Sequence, residues 1–340
     1  MSQIVVVTTS YPKSRGDAEG HFVGAEVRRL CDSATVTVLA PGLHRSSLWG
    51  ERVVSLDGGS AFGFPGAVER MRRNRAHLFE AAQFVWSAVR WLRQAPLPER
   101  IVAHFLLPCG VPIATRGLGL RRAELEVVVH GSDARLFAQL PGGHGLVGRE
   151  LIRANARLRF VSTELSDLVL GSLPASQGEA LAARSYVEPA AIDVEGVPLR
   201  PLARAKLGIA PSGKVAVIVA RLVPGKRVDV ALEACTRVKE LRTFVLGDGP
   251  ERERLMARFP SADFVGHVER PQALAYISAA DVLVSASLHE GAPTVVREAR
   301  ALGTPVVCLD AGDVRKWAET DPGLSVVPSL QSGSAIINGG

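Results

Sequence analysis

Short runs of aliphatic and β-branched residues alternate with stretches of helical period along the whole chain. In the first half, IVVVTT (Ile4–Thr9), TVTVLA (Thr35–Ala40), RIVAHF (Arg100–Phe105), EVVVH (Glu126–His130) and LRFVS (Leu158–Ser162) read as buried strands. Amphipathic stretches, FVGAEVRRL (Phe22–Leu30) and HLFEAAQFVWSAVRWL (His77–Leu92), lie between them. The second half is more regular. VAVIVA (Val215–Ala220), RTFVLG (Arg242–Gly247), ADVLVSAS (Ala280–Ser287) and TPVVCL (Thr304–Leu309) read as strands, with VDVALEACTRV (Val228–Val238) and TVVREARAL (Thr294–Leu302) as helices. Strands that alternate with helices predict βαβ units and parallel sheets covered on both faces.

The alternation breaks near Val187–Pro211, which is rich in proline and glycine and has little period. That predicts an α/β chain of two doubly wound, Rossmann-like domains facing across a cleft. The expected divisions are 1–188, a linker at 189–211, a second domain at 212–328 and an irregular tail at 329–340. Ligands of such sheets sit beyond the carboxyl ends of the strands, so the loops there carry the chemistry.

Composition narrows the classes. The chain has 340 residues, 47% hydrophobic and 22% charged, an ordinary globular balance long enough for two cores. No signal-peptide pattern opens it, and Ile101–Ala114, the longest near-apolar stretch, is too short to span a bilayer. A cytoplasmic protein is expected. Cys31, Cys109, Cys235 and Cys308 stand far apart among apolar neighbours and read as free thiols, with no metal site. The net charge of +6 falls mostly in the first half, part of it in VERMRRNRAH (Val68–His77). With aromatics at only 5%, no nucleic-acid partner is expected. That run reads as a solvated helix face, or else as a patch for an anionic acceptor or a membrane surface.

The strand-end loops of the second half carry the candidate chemistry. Arg221 and Lys226 follow VAVIVA, the turn GDGP opens at Gly247, GHVER opens at Gly266, and HEGAPTVVREA follows ADVLVSAS. Arginine and lysine suit phosphate oxygens. Gly291, Ala292 and Pro293 form a compact turn, and a helix starting at Thr294 would aim unpaired N–H groups and its positive dipole end at an anion. Glu290 lies on the loop before that helix and Glu298 within its first turns, so the two do not share a face. Taken singly, Glu298 could be gaining only about 0.3–1 kcal/mol from the helix dipole. Arg221 and Lys226 taken singly would be solvated cations. Their joint placement after successive strands favours a pyrophosphate site, with Glu298 accepting from ribose hydroxyls.

At this point the sequence resembles a known family. ARLVPGKRVDVALEA, VLGDGPERERL, FVGHVERPQALAYISAADVLVSAS and HEGAPTVVREARALGTPVV run in the order and spacing of the retaining glycosyltransferases of family 4, which have the GT-B fold. Glu290 and Glu298 match its E-x7-E signature. In the first half SYPKSRGDAEGHFVGAEVRRL, AHFLLPCG and VVVHGSDARL are similar to its first loop and donor-facing loops.

The resemblance implies a hexosyltransferase that moves a sugar, with retention, from a nucleotide-diphosphate donor, UDP- or GDP-linked, to a hydroxyl acceptor. Arg221 and Lys226 would bind and stabilise the leaving diphosphate, Glu298 the ribose, and Glu290 the transferred sugar. Gly247, Gly266, Gly291, Ala292, Pro293 and Thr294 would complete the donor site. His130 would approach the sugar from the first domain, with Gly16 or Gly20 on the acceptor or phosphate side of the first loop. No Asp-x-Asp pair occurs, so no metal and no other cofactor is expected. A lipid-linked or anionic acceptor with peripheral membrane association agrees with the basic first half, and a hydrophilic acceptor agrees equally.

Ala220 and Arg227 stand where the family usually has glycine, and PAAID replaces its Asn-Gly, with Asp193 in place. The chain closes in VVPSLQSGSAIINGG, where the family continues into helices. The alternatives are a sugar-nucleotide epimerase, which shares the fold, or, with the C-terminal helix missing, a sugar-nucleotide binder with impaired turnover.

Overall fold

In a computed structural model, the described residues are 2–42, 46–58, 61–62, 70–71, 74–115 and 123–330. The chain divides into two compact units, Met1–Ala191 and Ile192–Gly340.

The first unit holds seven strands: β1 (Ser2–Val7), β2 (Ala34–Pro41), β3 (Arg52–Leu56), β4 (Arg100–His104), β5 (Glu124–Val129), β6 (Arg157–Phe160) and β7 (Tyr186–Val187). They form one parallel sheet in the order β3-β2-β1-β4-β5-β6-β7. Consecutive residues such as Val5–Val7 and Val127–Val129 are buried alike. Successive side chains point to opposite faces, so both faces of this sheet are covered, as a parallel sheet requires. The helices His21–Cys31 and Ala76–Gln94 fall where the helical period predicts them.

The second unit has β8 (Lys214–Val219), β9 (Leu241–Leu246), β10 (Asp263–Gly266), β11 (Val282–Ser285), β12 (Val306–Leu309) and β13 (Leu324–Val327), parallel in the order β10-β9-β8-β11-β12-β13. Alternation splits its core into two layers. Ala216, Ile218, Val245 and Val284 pack on Val228, Leu232 and Cys235 of the helix Val228–Thr236. Val215, Val217, Phe244 and Leu283 pack on Leu274 and Ile277 of Arg270–Ala279 and Val296 of Thr294–Ala301.

Part of the expected linker is ordered. Arg200–Leu207 is a helix whose Ala203 joins the second core, and buried Arg204 donates to Ala279 O at 2.9 Å and Asp281 Oδ2 at 2.7 Å. Asp281 in turn accepts from Val215 N at 2.8 Å, tying this helix to the edge of β8. Its charged sequence hides the helix from an apolar-period reading; the tertiary partners of Arg204 hold it. Leu330, the second residue of the expected tail 329–340, is buried in the layer of Val228 and Leu232, and residues 331–340 lie outside the described residues. Of the basic run Val68–His77, residues 68–69 and 72–73 lie outside them too.

Three cysteines are buried and Cys31 is partly so; all four are free thiols. Burial pushes the thiols of Cys235 and Cys308 up to about 12 and that of Cys31 to about 11.

Candidate functional site

In the second sheet the chain winds one way from β8 to β10 and the other way from β11 to β13, so the crevice between diverging loops lies beyond β8 and β11. The loop after β8 ends in a single 3₁₀ turn, Pro224–Lys226. Lys226 Nζ donates to Glu290 Oε1 at 2.5 Å, with both side chains about four-fifths buried (19% and 17% exposed). Leu288 N donates to Gly225 O at 3.0 Å. One ion pair and one backbone bond thus join the two loops that flank the switch point. Arg227, where the resembling family has glycine, takes φ 47° and ψ 44° and launches the next helix. This left-handed conformation costs a non-glycine residue on the order of 1–3 kcal/mol.

Neighbouring loops are locked by close backbone approach. Gly247 sits at φ 122°, and a Cβ there would lie 1.9 Å from Ala220 O. Only glycine permits both the conformation and the contact. Gly247 N donates to Gly266 O at 2.8 Å and Leu222 N to Asp248 O at 2.9 Å, so the turns after β8, β9 and β10 form one ledge. Gly291, Ala292 and Pro293 precede the helix Thr294–Ala301, which has no side-chain cap. Its first N–H groups therefore keep their donors for a ligand or water.

Glu298 is 6% exposed and accepts from Arg270 Nη2 at 2.6 Å. Arg270 is the last residue of GHVER and opens the next helix; the sequence marks that loop without singling out this residue. The guanidinium gives the buried carboxylate a fixed orientation. Arg221 is exposed at the start of the β8 loop.

In the first unit, Gly20 takes φ 69° and caps His21–Cys31, and a Cβ there would meet the Ser10 and Tyr11 backbone at 2.7 Å. Its glycine is explained by that packing. Gly16 lies half-buried in the turn before it, where Asp17 accepts from Lys13 N at 3.0 Å and Glu19 N at 2.9 Å.

His130 follows β5 and is half-buried, its ring 4.8 Å from Phe22 and 4.7 Å from Phe105. Burial first, then the charges of His104 and Arg159, push its pKa well below the usual imidazole range, so the ring is neutral at pH 7. Asp133, three residues on, accepts from His130 N at 3.1 Å, Gly131 N at 2.8 Å and Leu106 N at 2.6 Å. It thereby splices the loops after β4 and β5. Burial raises its carboxyl to about 6, although those N–H donors pull the other way. Sequence reasoning missed Asp133, Glu26, His104 and Arg159. Their only signal was a charged or titratable residue set among strand or helix apolar positions.

Among the described residues no helix is long and apolar enough to cross a membrane. Residues 213–335 match the family model described as glycosyl transferases group 1. Over 332 residues the chain is 26% identical to the putative teichuronic acid biosynthesis glycosyltransferase TuaC of Bacillus subtilis, covering 92% of this chain and 82% of that protein. A GDP-mannose-dependent α-mannosyltransferase of Mycobacterium tuberculosis is 41% identical over 107 residues, 31% of this chain and 28% of its own length. The crystal structure of Anabaena HepE with UDP and glucose superposes with a TM-score of 0.66 at 18% identity, covering 99% of this chain and 89% of that one. That structural likeness shows the fold, two Rossmann-like parallel-sheet units of the GT-B type. The matched second unit and the named relatives, taken with this fold, support a glycosyltransferase of the GT-B type.

Proposed function

We propose that the chain is a retaining hexosyltransferase that uses a UDP- or GDP-linked sugar and a hydroxyl acceptor, without a metal ion. The observation that carries this reading is the Lys226–Glu290 pair at the switch point of the second sheet, beside the uncapped helix start at Thr294. Breaking the sugar–phosphate bond leaves its electron pair, and hence growing negative charge, on the diphosphate. Lys226, Arg221 and the N–H groups at Thr294 stabilise that charge without reorganising. The ammonium has three N–H donors, so holding Glu290 leaves two for phosphate oxygens. Glu298, oriented by Arg270, accepts from ribose hydroxyls, and Glu290 contacts the transferred sugar. The acceptor oxygen bonds to the sugar carbon on the face the diphosphate leaves, and its proton passes to a leaving phosphate oxygen. In the first unit, His130 offers a neutral ring that suits a hydroxyl rather than a phosphate.

The acceptor in this reading is anionic and amphiphilic, presented at a membrane surface. A groove of about 840 Å³ in the first unit is lined by Val85, Trp86, Val89 and Pro112 with Arg90 and Arg93. Its apolar lining suits a hydrocarbon chain and its two guanidiniums suit a phosphate. Phe79 and Leu78 of the same helix are also exposed. Vesicles of anionic lipid should retain the protein, vesicles of neutral lipid should not, and Arg90→Glu/Arg93→Glu should release it. Equal retention on both would refute this acceptor class.

The testing experiment for the donor is equilibrium binding of UDP, GDP, ADP and dTDP with a chelator present. UDP and GDP come first because of the nucleotides named with the neighbours above. Selective binding of one nucleotide, lost in Arg221→Ala and Lys226→Ala, is expected. Transfer assays with the matching sugar then separate a transferase from an epimerase by product. Folded protein that binds none of the four would sink the proposal.

A further inference from the structure

Behind His130 lies a chain of buried groups that the sugar-transfer reading does not use. His130 Nε2 and His104 Nδ1 are 3.0 Å apart, with the rings nearly parallel at 16°. Two neutral imidazoles in such contact share one proton, so one ring donates and the other accepts. The far side of His104 decides which. There Nε2 is closed to solvent, has no hydrogen-bond partner among the described residues, and lies 3.7 Å from Glu26 Oε2. Arg159 Nη2 holds both oxygens of that carboxylate at 2.5 Å, and its Nε lies 3.2 Å from Glu126.

A lone pair on His104 Nε2 would face the carboxylate oxygen in a low-dielectric interior, which is repulsive; an N–H there is attractive. With its proton on Nε2, His104 has a lone pair on Nδ1. The proton between the rings then belongs to His130 Nε2, and His130 Nδ1 is left with a lone pair. Burial and the Arg159 charge also hold the His104 pKa well below the usual range, so neither ring is doubly protonated near neutrality. The charged groups around the pair are Glu26 from the helix His21–Cys31, Arg159 from β6 and Asp133 beneath the His130 backbone.

We infer that His104, backed by Glu26 and Arg159, is a positioning residue that fixes His130 as the Nε2–H tautomer. His130 Nδ1, which has no protein partner among the described residues, then accepts a hydrogen bond from a hydroxyl and rejects a phosphate oxygen. The choice of ligand group rests on the sugar-site reading given above; the tautomer is a property of the first unit by itself. The second histidine matters because a ring nitrogen's role is set by the bond the other nitrogen makes.

The test is nitrogen NMR of the full chain, ¹⁵N-labelled at histidine, at pH 7.5 with no donor or acceptor present. His130→Gln and His104→Gln assign the two rings. Protonation of both rings on Nε2 is expected, with a coupling across the hydrogen bond between them. Protonation of His130 on Nδ1, or a mixture of tautomers, overturns the inference.

A functional arm compares His104→Gln, whose amide oxygen can still accept from His130, with His104→Phe, which cannot; circular dichroism checks folding. His104→Phe should lower kcat/KM for the sugar donor about tenfold, the worth of one neutral hydrogen bond. His104→Gln should recover most of that, and the free nucleotide Kd should stay within about twofold in both. Equal losses in the two variants, or a matching loss of nucleotide affinity, would reduce His104 to a structural residue. If the tautomer is as expected and no sugar transfer occurs with any donor, the activity reading fails and the tautomer assignment stands.

Discussion

Lys226→Ala should weaken binding of the nucleoside diphosphate for two separable reasons. The first is the lost contact between an ammonium and a phosphate oxygen. At about 4 Å and an effective dielectric near 20, a pair of unit charges is worth about 4 kcal/mol, an upper bound in this partly wet site. A charge-assisted hydrogen bond measured against water is worth about 1.5–3 kcal/mol. The second reason is Glu290. Lys226 Nζ is its neighbour at 2.5 Å, and the carboxylate is 17% exposed. Without the ammonium, that carboxylate faces the incoming diphosphate. At about 6 Å and an effective dielectric near 40 the repulsion is about 1.4 kcal/mol.

Lys226→Ala should therefore cost roughly 3–4 kcal/mol in the native background, a several-hundred-fold rise in Kd. In a Glu290→Gln background the same substitution should cost only about 1.5–3 kcal/mol. Isothermal titration of UDP or GDP with the four proteins of this cycle, at constant ionic strength, measures both numbers. The coupling of about 1 kcal/mol exceeds the few tenths within which independent sites add. Losses that agree within about 0.5 kcal/mol in the two backgrounds would refute the idea that Glu290 and the phosphate share Lys226.

Gly247→Ala would place a Cβ 1.9 Å from Ala220 O at φ 122°. It should cost about 2–5 kcal/mol and lower the thermal midpoint, with a normal midpoint counting against the ledge described above. Arg270→Met removes the guanidinium that orients the Glu298 carboxylate, 8% exposed in its side chain. About 3–5 kcal/mol of stability should be lost, and Glu298→Gln in the same chain should restore part of it in urea titrations. For Asp133, the folded carboxyl at about 6 lies above its unfolded value of 3.8, so the native state binds the proton more tightly. This term stabilises the fold below about pH 4 and is lost as pH rises through 6, amounting to about 3 kcal/mol. His104 and His130, held below the unfolded histidine value of 6.5, act in the opposite sense as pH falls. The readout is therefore the difference in urea midpoint between the native chain and Asp133→Asn from pH 4 to 7. A difference that does not change over that range would contradict the raised value.

The aliphatic runs were enough to set two parallel sheets, because strands buried on both faces are apolar at most positions whatever their neighbours. Val5–Val7, Val215–Val219 and Val282–Val284 follow that pattern and lie in strands. The loops after β8 and β11 were also legible, since glycine turns, cations and a helix start keep their meaning in isolation. The pairing of side chains was not. Glu298 could be assigned to the helix start from the sequence alone, but its partner Arg270 is 28 residues away and meets it only once β10 and β11 lie in one sheet. Arg204 looked like a linker cation until Asp281, 77 residues on, supplied its counter-charge. His104, Glu26 and Arg159 are 133 residues apart at the extremes, and each taken singly is an isolated polar residue in an apolar run. Local sequence records what a residue does to its own backbone and which face it occupies. Buried charge is tolerable only beside an opposite charge, and that neighbour is chosen by the order of the strands.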